Sequence, residues 1–186
     1  MEQRSDAELA VASRKGDEGA FAELVKRYLA PVYRFAFRLM GEGDAAEDVS
    51  QETFIKAWRK LSTFNSSKSF RTWILSIAYH AAIDAIRKKS PIPFTRLESE
   101  NESWDAQIPD SAPLPDEMLE RSETAAAIES AMTELSPSAR AAVLLHESQG
   151  MTFEEIAATM GEPMNTVKSR YRRALNQLSE ILRKTL

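Results

Sequence analysis

The sequence predicts an all-α protein with two small helical domains, residues 1–90 and 119–186, joined by a flexible acidic linker at 91–118. Apolar residues recur at spacings of three and four in almost every segment outside that linker. Glycine is sparse, with 6 in 186 residues, and alternating runs of β-branched residues, which would indicate strands, are nearly absent. The linker instead has five prolines, many acids and no helical period, which is typical of a partly extended tether.

Punctuating residues divide the first domain into helices. The predicted helices run from Asp6 to about Lys15, from Asp17 onward, from Pro31 onward, from Asp44 to about Leu61, and from Phe70 to about Lys89. Gly16 ends the first, and Gly41 and Gly43 separate the third from the fourth. Asp17 is a good N-cap residue, and Pro31 favours the first turn of a new helix, where its missing N–H is not needed.

The predicted helix at 44–61 has two unlike faces. Its inward stripe is predicted to comprise Ala46, Val49, Thr53, Phe54, Ala57, Trp58 and Leu61. Outside the stripe lie Asp48, Gln51, Glu52, Ile55, Lys56 and Arg59. An apolar Ile55 among charged side chains is explained if this face meets a partner protein. An ordinary solvated face is the alternative interpretation.

Aromatic and basic side chains are interleaved in the next stretch. A polar turn with Phe64 as its single aromatic residue precedes a helix that begins Phe-Arg-Thr-Trp and ends with a basic cluster that includes Arg87 and Lys88. Such a mixture can stack unpaired bases and bind phosphates. The alternative is that Phe64, Phe70 and Trp73 are core residues, and for Trp73 the core is favoured.

The second domain is predicted to contain four helices, the last two forming a helix-turn-helix. The first runs from Leu119 to Leu135, and Ser136-Pro137 starts the next, which Gly150 ends. Candidate caps and breaks in the remainder are Thr152 before the third helix, Gly161 and Pro163 after it, and Asn165 or Thr166 before the fourth.

The last helix has an apolar and a basic face. The apolar face is predicted to hold Val167, Tyr171, Ala174, Leu175 and Leu178, and the opposite face Lys168, Ser169, Arg172, Arg173 and Asn176. A short helix, a tight turn and a longer helix of this kind form the layout in which the second helix enters the major groove of DNA. A plain helical hairpin with a solvated basic face is the alternative.

Acidic and basic residues are distributed unevenly along the chain. A net charge of −4 and a pI near 5.4 argue at first sight against a nucleic-acid-binding protein. However, residues 91–123 contain nine acids and two arginines, a net charge of −7, so that the rest of the chain carries +3. Basic segments at 87–89 and 168–173 flank this acidic middle, and phosphate binding depends on such local charge.

Several protein classes are disfavoured by what the sequence lacks. There is no apolar run near the ~20 residues of a membrane span and no signal-peptide pattern, so a cytoplasmic protein without membrane insertion is expected. Cysteine is absent, and there is no P-loop or glycine-rich nucleotide motif. His80 and His146 lack metal-ligand spacing, and His146 is expected to be structural. We therefore expect no enzymatic activity, no metal and no cofactor.

Five stretches together resemble the extracytoplasmic-function sigma factors, the small alternative initiation subunits of bacterial RNA polymerase. Four of them are GDEGAFAELVKRY, DAAEDVSQETFIKAW, FRTWILSIAYHAAIDAIRKK and LSPSARAAVLLHESQGMTFEEIAATMGEPMNTVKSRYRRAL, and the fifth is the variable linker. The resemblance covers nearly the whole chain. The helix-turn-helix alone would fit response-regulator output domains equally well, whereas DVSQETF ahead of FRTW is specific to sigma factors.

The resemblance implies a fold and three sets of contacts. The fold is a sigma region 2-like helical bundle followed by a region 4-like helix-turn-helix domain. The set for core polymerase is Asp48, Gln51, Glu52, Ile55 and Arg59. The set that opens and holds the −10 element is Phe64, Phe70, Arg71, Thr72, Trp73, Ile77 and His80, with Arg87 and Lys88 on phosphates. The set for the −35 element is Thr166, Lys168, Ser169, Arg172 and Arg173.

The chain departs from the family pattern at three positions. His80 stands where asparagine is frequent, Asn165 where glycine is frequent, and Leu175 where arginine is frequent. The first leaves the base preference at the −10 element open, and the last removes one possible DNA contact. The partners implied are core RNA polymerase, promoter DNA and an anti-sigma factor.

Rival interpretations make different demands on the sequence. A conventional regulator with its effector domain at 1–90 would bind an operator tightly without polymerase. An enzyme would need a catalytic or cofactor motif that is not found. A pure scaffold would not need the basic face of the last helix.

Overall fold

The computed structural model describes residues 4–89 and 123–185, and all regular structure in these ranges is helical, which confirms the all-α class. The helices are α1 Asp6–Arg14, α2 Glu18–Met40, α3 Gly43–Lys60, α4 Phe70–Lys89, α5 Glu123–Thr133, α6 Pro137–Val143, α7 Phe153–Met160 and α8 Met164–Thr185. A short 3₁₀ turn, Leu61–Thr63, follows α3, and a π-helical turn, Leu144–Ser148, follows α6. The predicted linker and the predicted helix start at Leu119 lie outside the described residues.

A single helix, α2, replaces the two helices that were predicted on either side of Pro31, so that prediction was wrong. A proline inside a helix costs roughly 3 kcal/mol because it removes a hydrogen bond and crowds the preceding turn. However, Leu24, Val32 and Leu39 continue one buried face across the proline, each at most 1% exposed. Their burial, at roughly 1.5–3 kcal/mol per side chain, offsets that cost.

Several predicted caps are confirmed. Asp17 accepts a hydrogen bond from the Ala20 N–H at 2.9 Å and starts α2. Thr152 and Glu155 form a reciprocal capping box, in which each side chain accepts from the other's backbone N–H, at 3.2 and 2.9 Å. Gly161 ends α7 in the left-handed conformation, with φ of 69°.

The helix after this turn begins earlier than predicted. Because α8 starts at Met164, Asn165 and Thr166 lie inside its first turn and do not cap it. The Pro163 carbonyl instead accepts hydrogen bonds from the N–H groups of Thr166 and Val167, at 2.9 and 3.2 Å. The turn between α7 and α8 is therefore only residues 161–163.

The two halves of the chain pack against each other. α2 lies against α6 and the π-helical turn, and α4 lies against α7. Buried side chains of the second half, including Leu144, Leu145 and Ile156, belong to the same apolar core as side chains of α1–α4. A smaller core joins α5, α6 and α8. We call the contact between the halves the seam.

Candidate nucleic-acid and protein interfaces

The polar face of α8 is the first candidate interface. Every side chain predicted to read duplex DNA is exposed, namely Thr166, Lys168, Ser169, Arg172 and Arg173. The opposite face fixes the helix, since Val167, Ala174 and Leu178 are buried. Leu175 was predicted on that apolar face but is 38% exposed, which corrects the prediction. It lies at the border of the polar face, between buried Ala174 and exposed Asn176.

An aromatic cluster sets the orientation of α8 on α7. The rings of His146 and Phe153 stack at 4.4 Å between centroids, and Tyr171 meets both edge-on, at 5.0 and 5.2 Å. His146 Nδ1 lies 2.8 Å from the Met151 carbonyl oxygen, a structural contact. The Tyr171 hydroxyl donates to Glu147, and this hydrogen bond raises the pKa of Tyr171 to about 12. The polar face of α8 is thus held in place by side chains on the other sides of the helix.

The outward face of α3 is the second candidate interface. The five side chains predicted to contact a partner are all exposed: Asp48, Gln51, Glu52, Ile55 and Arg59. Trp58 was predicted to lie in the core, but it is 45% exposed, so that assignment was wrong. The Phe21 ring packs edge-on against it, at 4.8 Å between centroids. With Ile55, which is 51% exposed, Trp58 forms an exposed apolar pair.

Trp58 is a candidate site residue that sequence reasoning missed. It lies three positions after Ile55, so the two side chains are neighbours on one side of a helix. That spacing was a signal in the sequence. It was outweighed by the general tendency of tryptophan to be largely buried.

The residues predicted to act on the −10 element divide into buried and exposed sets. Phe64, Phe70 and Ile77 are buried, Thr72 and Trp73 are partly buried, and Arg71, His80, Arg87 and Lys88 are exposed. Phe64 and Phe70 meet edge-on at 5.3 Å, and Trp73 packs against them at 5.1 and 5.4 Å. In this arrangement the two phenylalanines support the start of α4 and do not themselves reach solvent.

The exposed residues of α4 lie near its start and along its last turns. His80 Nδ1 is 2.8 Å from the Ser76 carbonyl oxygen, and its ring meets Tyr79 edge-on at 5.3 Å. The basic residues Arg87 and Lys88 lie in the last turn, where the helix dipole favours positive charge. This positive end of α4 is suited to bind a phosphate backbone.

Two residues at the start of α4 are bonded to the second half of the chain. The Arg71 guanidinium donates to Gln149 Oε1 at 3.2 Å, and the Thr72 hydroxyl donates to Glu155 Oε1 at 2.8 Å. The hydrogen bond from the Thr152 N–H is the main reason that the pKa of Glu155 is lowered, with the Thr72 hydroxyl adding to it. Nothing local in the sequence indicated these pairs, because their members are 78 and 83 positions apart.

A cavity of about 180 Å³ opens on the seam. Its lining comprises Pro31, Arg34, Phe35, Arg38, Arg71, Leu144, Ser148 and Gln149. Three guanidinium groups therefore lie around one small space, and among the described residues no carboxylate lines it. Arg38 donates to the Ser148 hydroxyl at 3.4 Å. The first half thus presents positive charge beside Arg71, which favours phosphate groups.

Within residues 4–89 and 123–185, no group of three or more His, Cys, Asp or Glu side chains could hold a metal ion. None of the helices in these ranges is long and apolar enough to cross a membrane.

Two family models match the chain. The model for Sigma-70 region 2 matches residues 24–92, which include α3 and α4. The model for Sigma-70, region 4 matches residues 125–178, which include the helix-turn-helix. The two matches thus contain the candidate interfaces described above.

Individual relatives match over most of the chain. The ECF RNA polymerase sigma factor SigE of Mycolicibacterium smegmatis is 35% identical over 178 residues, which are 94% of this chain and 67% of that protein. The ECF RNA polymerase sigma factor SigW of Bacillus subtilis is 31% identical over 173 residues, 91% of this chain and 92% of that protein. Among solved structures, the sigma factor RpoE of Bartonella quintana, in complex with the anti-sigma factor NepR, is similar with a TM-score of 0.68 and 26% identity, covering 88% of this chain and 96% of that chain.

Proposed function

Because this chain belongs to the extracytoplasmic-function sigma factors, we propose that its exposed surfaces divide the steps of transcription initiation among them. The chain binds core RNA polymerase and directs promoter-specific initiation, and it is not an enzyme. In the proposal, α3 contacts polymerase, α4 captures the −10 strand and α8 reads the −35 element. The observation that carries it is the exposed Ile55–Trp58 pair on α3, because a regulator that only bound DNA would have no use for it.

Transcription by purified core polymerase on a fragmented genomic library, followed by sequencing of transcript starts, tests the function as a whole. Start sites that share a −35 and a −10 element should appear only when this protein is added. Transcript start sites that share no such elements would contradict the proposal. Tight binding to one duplex site without polymerase would instead indicate a conventional operator-binding regulator.

The face of α3 has the mixture of groups that protein interfaces use. Ile55 and Trp58 supply apolar area at its centre, and Asp48, Gln51 and Arg59 supply polar groups around it. Exposed tryptophans that become buried on binding often dominate the energy of an interface. Both parts of this surface are carried by one rigid helix, so little ordering is needed when polymerase binds.

Replacing Gln51 by alanine should weaken the affinity for core polymerase roughly fivefold, because one interface hydrogen bond contributes about 1 kcal/mol. Since Gln51 is exposed, the free energy of unfolding should stay within about 0.5 kcal/mol of the wild type. Calorimetric titration of core polymerase measures the affinity. Lys60→Ala, an exposed change at the end of α3 away from this face, is the control. Equal affinities of Gln51→Ala and wild type would remove Gln51 from the interface.

The exposed part of α4 is proposed to hold the melted −10 strand. Arg71 and Thr72 provide donors at its start, His80 provides an exposed ring, and Arg87 and Lys88 provide phosphate contacts at its end. Holding unpaired bases requires unstacking them, at a few kcal/mol per step. Phe64, Phe70 and Ile77 contribute by fixing the position of α4, since they are buried beneath this surface.

The α8 surface is proposed to read the −35 element in the major groove. Ser169 and the two arginines carry donors that can reach base edges, and Lys168 can bind phosphate. Lys168 Nζ lies 5.9 Å from the centre of the Phe153 ring, which limits its freedom at the protein surface. Such preordering reduces the entropy lost on binding DNA.

Replacing Arg172 or Arg173 by alanine should cost about 1–3 kcal/mol of affinity for the −35 element if the side chain reads a base. The loss should fall on the preferred sequence and spare unrelated duplexes, which a lost phosphate contact would not do. A gel-shift titration of the polymerase holoenzyme on matched and mismatched −35 duplexes measures it. Arg183→Ala, an exposed arginine in the last turn of the same helix, is the control. No sequence-dependent loss in either variant would overturn the assignment.

Regulation and location follow from the same proposal. The chain is proposed to act in the cytoplasm, where core polymerase works. It is also proposed to be held by an anti-sigma factor, as the Bartonella sigma factor is in its solved complex. Such a partner would have to cover α3, α4 or α8 in order to prevent initiation.

A further inference from the structure

The cavity on the seam gathers three arginines of the first half. Arg34 and Arg38 lie four positions apart on one side of α2, and Arg71 lies at the start of α4. Neither arginine of α2 belongs to the surfaces proposed above for polymerase or DNA. The positive charge of the cavity is therefore larger than strand capture by Arg71 requires.

The hydrogen-bond partners of two of these guanidinium groups are neutral. Arg38 donates to the Ser148 hydroxyl at 3.4 Å, and Arg71 donates to Gln149 Oε1 at 3.2 Å. Arginine stays protonated in proteins, so these hydrogen bonds leave both positive charges in place. Positive charges around one small space repel one another, and an anion between them replaces that repulsion with attraction.

The start of α4 adds to the positive potential beside Arg71. The N-terminus of a helix carries a partial positive charge, which favours acidic side chains in the first turn. The first turn of α4 has none, and its second residue is Arg71. Glu155 contacts this turn through Thr72 but does not line the cavity. An arginine at this end of a helix is unfavourable by itself and becomes favourable once an anion lies beside it.

The size and walls of the cavity fit a small anion with several oxygens. Its volume is about 180 Å³, and a water molecule takes about 30 Å³ of liquid, so one or two phosphate groups can enter. Pockets that enclose drug-sized ligands are larger, roughly 300–1,000 Å³, so a whole nucleotide does not fit. Phe35 and Leu144, both buried, form apolar walls that strengthen the attraction between an anion and the arginines. Ser148 and Gln149 add a hydroxyl and an amide as neutral donors.

We propose that this cavity binds a small phosphate anion, either inorganic diphosphate or the diphosphate end of a nucleotide. Arg38 and Arg71 bind the phosphate oxygens through charge-assisted hydrogen bonds, and Arg34 adds positive charge from α2. Ser148 and Gln149 contact the same anion from the second half. The inference goes beyond the function proposed above and does not depend on strand capture by α4, because two of the three arginines lie outside that surface.

Calorimetric titration of inorganic diphosphate into the full chain, without divalent cations, tests the site. The expected result is saturable binding at one site. The melting temperature should also rise with diphosphate concentration, since a ligand that binds only the folded state stabilises it. Sodium chloride at equal ionic strength should not reproduce this rise, because screening acts on all exposed charges alike. Absence of saturable binding, or an equal rise in chloride, would overturn the inference.

Arg38→Gln removes one charged donor from the cavity and should weaken diphosphate binding about tenfold or more. Because Arg38 is exposed, the fold should tolerate the change. Arg14→Gln makes the same charge change at an exposed site on α1 and is the control. Equal affinities of the two variants would make the binding one of general charge and would overturn the inference.

Ser148→Asp places a carboxylate at the hydrogen-bond partner of Arg38. This carboxylate should take the place of the anion. Diphosphate binding should therefore weaken about tenfold, while the melting temperature measured without diphosphate should rise. A variant that melts lower than the wild type without diphosphate would show that negative charge is not favoured in the cavity, and would overturn the inference.

Two further probes identify the source of the anion and separate the possible failures. Adenosine diphosphate that binds as tightly as inorganic diphosphate would support the end of a nucleotide as the ligand, and weaker binding would support the free anion. Single-stranded DNA of about 20 nucleotides is the other probe. If Arg38→Gln weakens the binding of DNA but not that of diphosphate, Arg38 belongs to the DNA surface. The anion site then fails, while the proposed capture of the −10 strand stands.

Discussion

Replacing Arg140 by methionine should lower the free energy of unfolding by about 3 kcal/mol, a large effect for one polar side chain. Arg140 is only 8% exposed and donates to the carbonyl oxygens of Leu39, Thr133 and Leu135, at 2.9, 2.5 and 3.2 Å. It thus joins the end of α2 to the segment between α5 and α6 across the seam. Urea denaturation of the full chain, followed by circular dichroism, measures the change.

The size of this effect is a balance of two terms. Each buried carbonyl left without a donor costs about 1–3 kcal/mol, and the variant leaves two of them, at Leu39 and Leu135, together with a partly buried one at Thr133. Against this, methionine relieves the burial of a charge whose Nε has no hydrogen-bond partner within residues 4–89 and 123–185. Burial lowers the pKa of Arg140 to about 10, so the group is still charged at neutral pH and its desolvation opposes folding. The cost of three carbonyls without their donor exceeds the gain from removing the buried charge, so the net effect of the substitution is destabilising.

Two comparisons make the result specific. Arg140→Lys keeps the charge but offers a single ammonium to three separated carbonyls. The free energy of unfolding of the lysine variant should therefore lie between those of the wild type and the methionine variant. Arg14→Met changes an exposed arginine of α1 and should stay within about 0.5 kcal/mol. A methionine variant as stable as the Arg14 control would mean that water replaces the guanidinium and that the seam does not depend on it.

The sequence predicted features that are set by neighbours along the chain. Caps such as Asp17 and Thr152 depend on residues three positions away, and the exposed face of α3 follows from its helical period. The break predicted at Pro31 failed for the opposite reason. A local rule about proline was overridden by burial on both sides of it, which depends on helices far away in the chain.

The candidate site shows the same division. The exposure of the polar faces of α3 and α8 was predicted because charge and helical period mark these residues locally. Gln149 and Glu155 were missed because their partners lie in the other half, and a contact between halves leaves no periodic signal. Phe64 and Phe70 could be either base-stacking or core residues by sequence, and only packing assigns them to the core.

Replacing Phe70 by alanine should lower the free energy of unfolding by about 3–5 kcal/mol and abolish promoter opening with it. Phe70 is 3% exposed, and its ring lies 5.2–5.4 Å from those of Tyr28, Phe64 and Trp73, so truncation leaves a cavity beneath the start of α4. Denaturation measures the stability. Permanganate reactivity of unpaired thymines in a holoenzyme–promoter complex measures opening.

Phe70→Leu decides whether the ring supports α4 or stacks on DNA. Leucine keeps most of the apolar volume, so a supporting role predicts a loss of about 1–1.5 kcal/mol in stability and nearly normal opening. A base-stacking role predicts the reverse pattern, since leucine lacks a π face: the fold would be retained while strand capture lost about 1–3 kcal/mol. Burial beneath Arg71 and Thr72 leads us to expect the first outcome. The second would require Phe70 to leave the core when the strand binds.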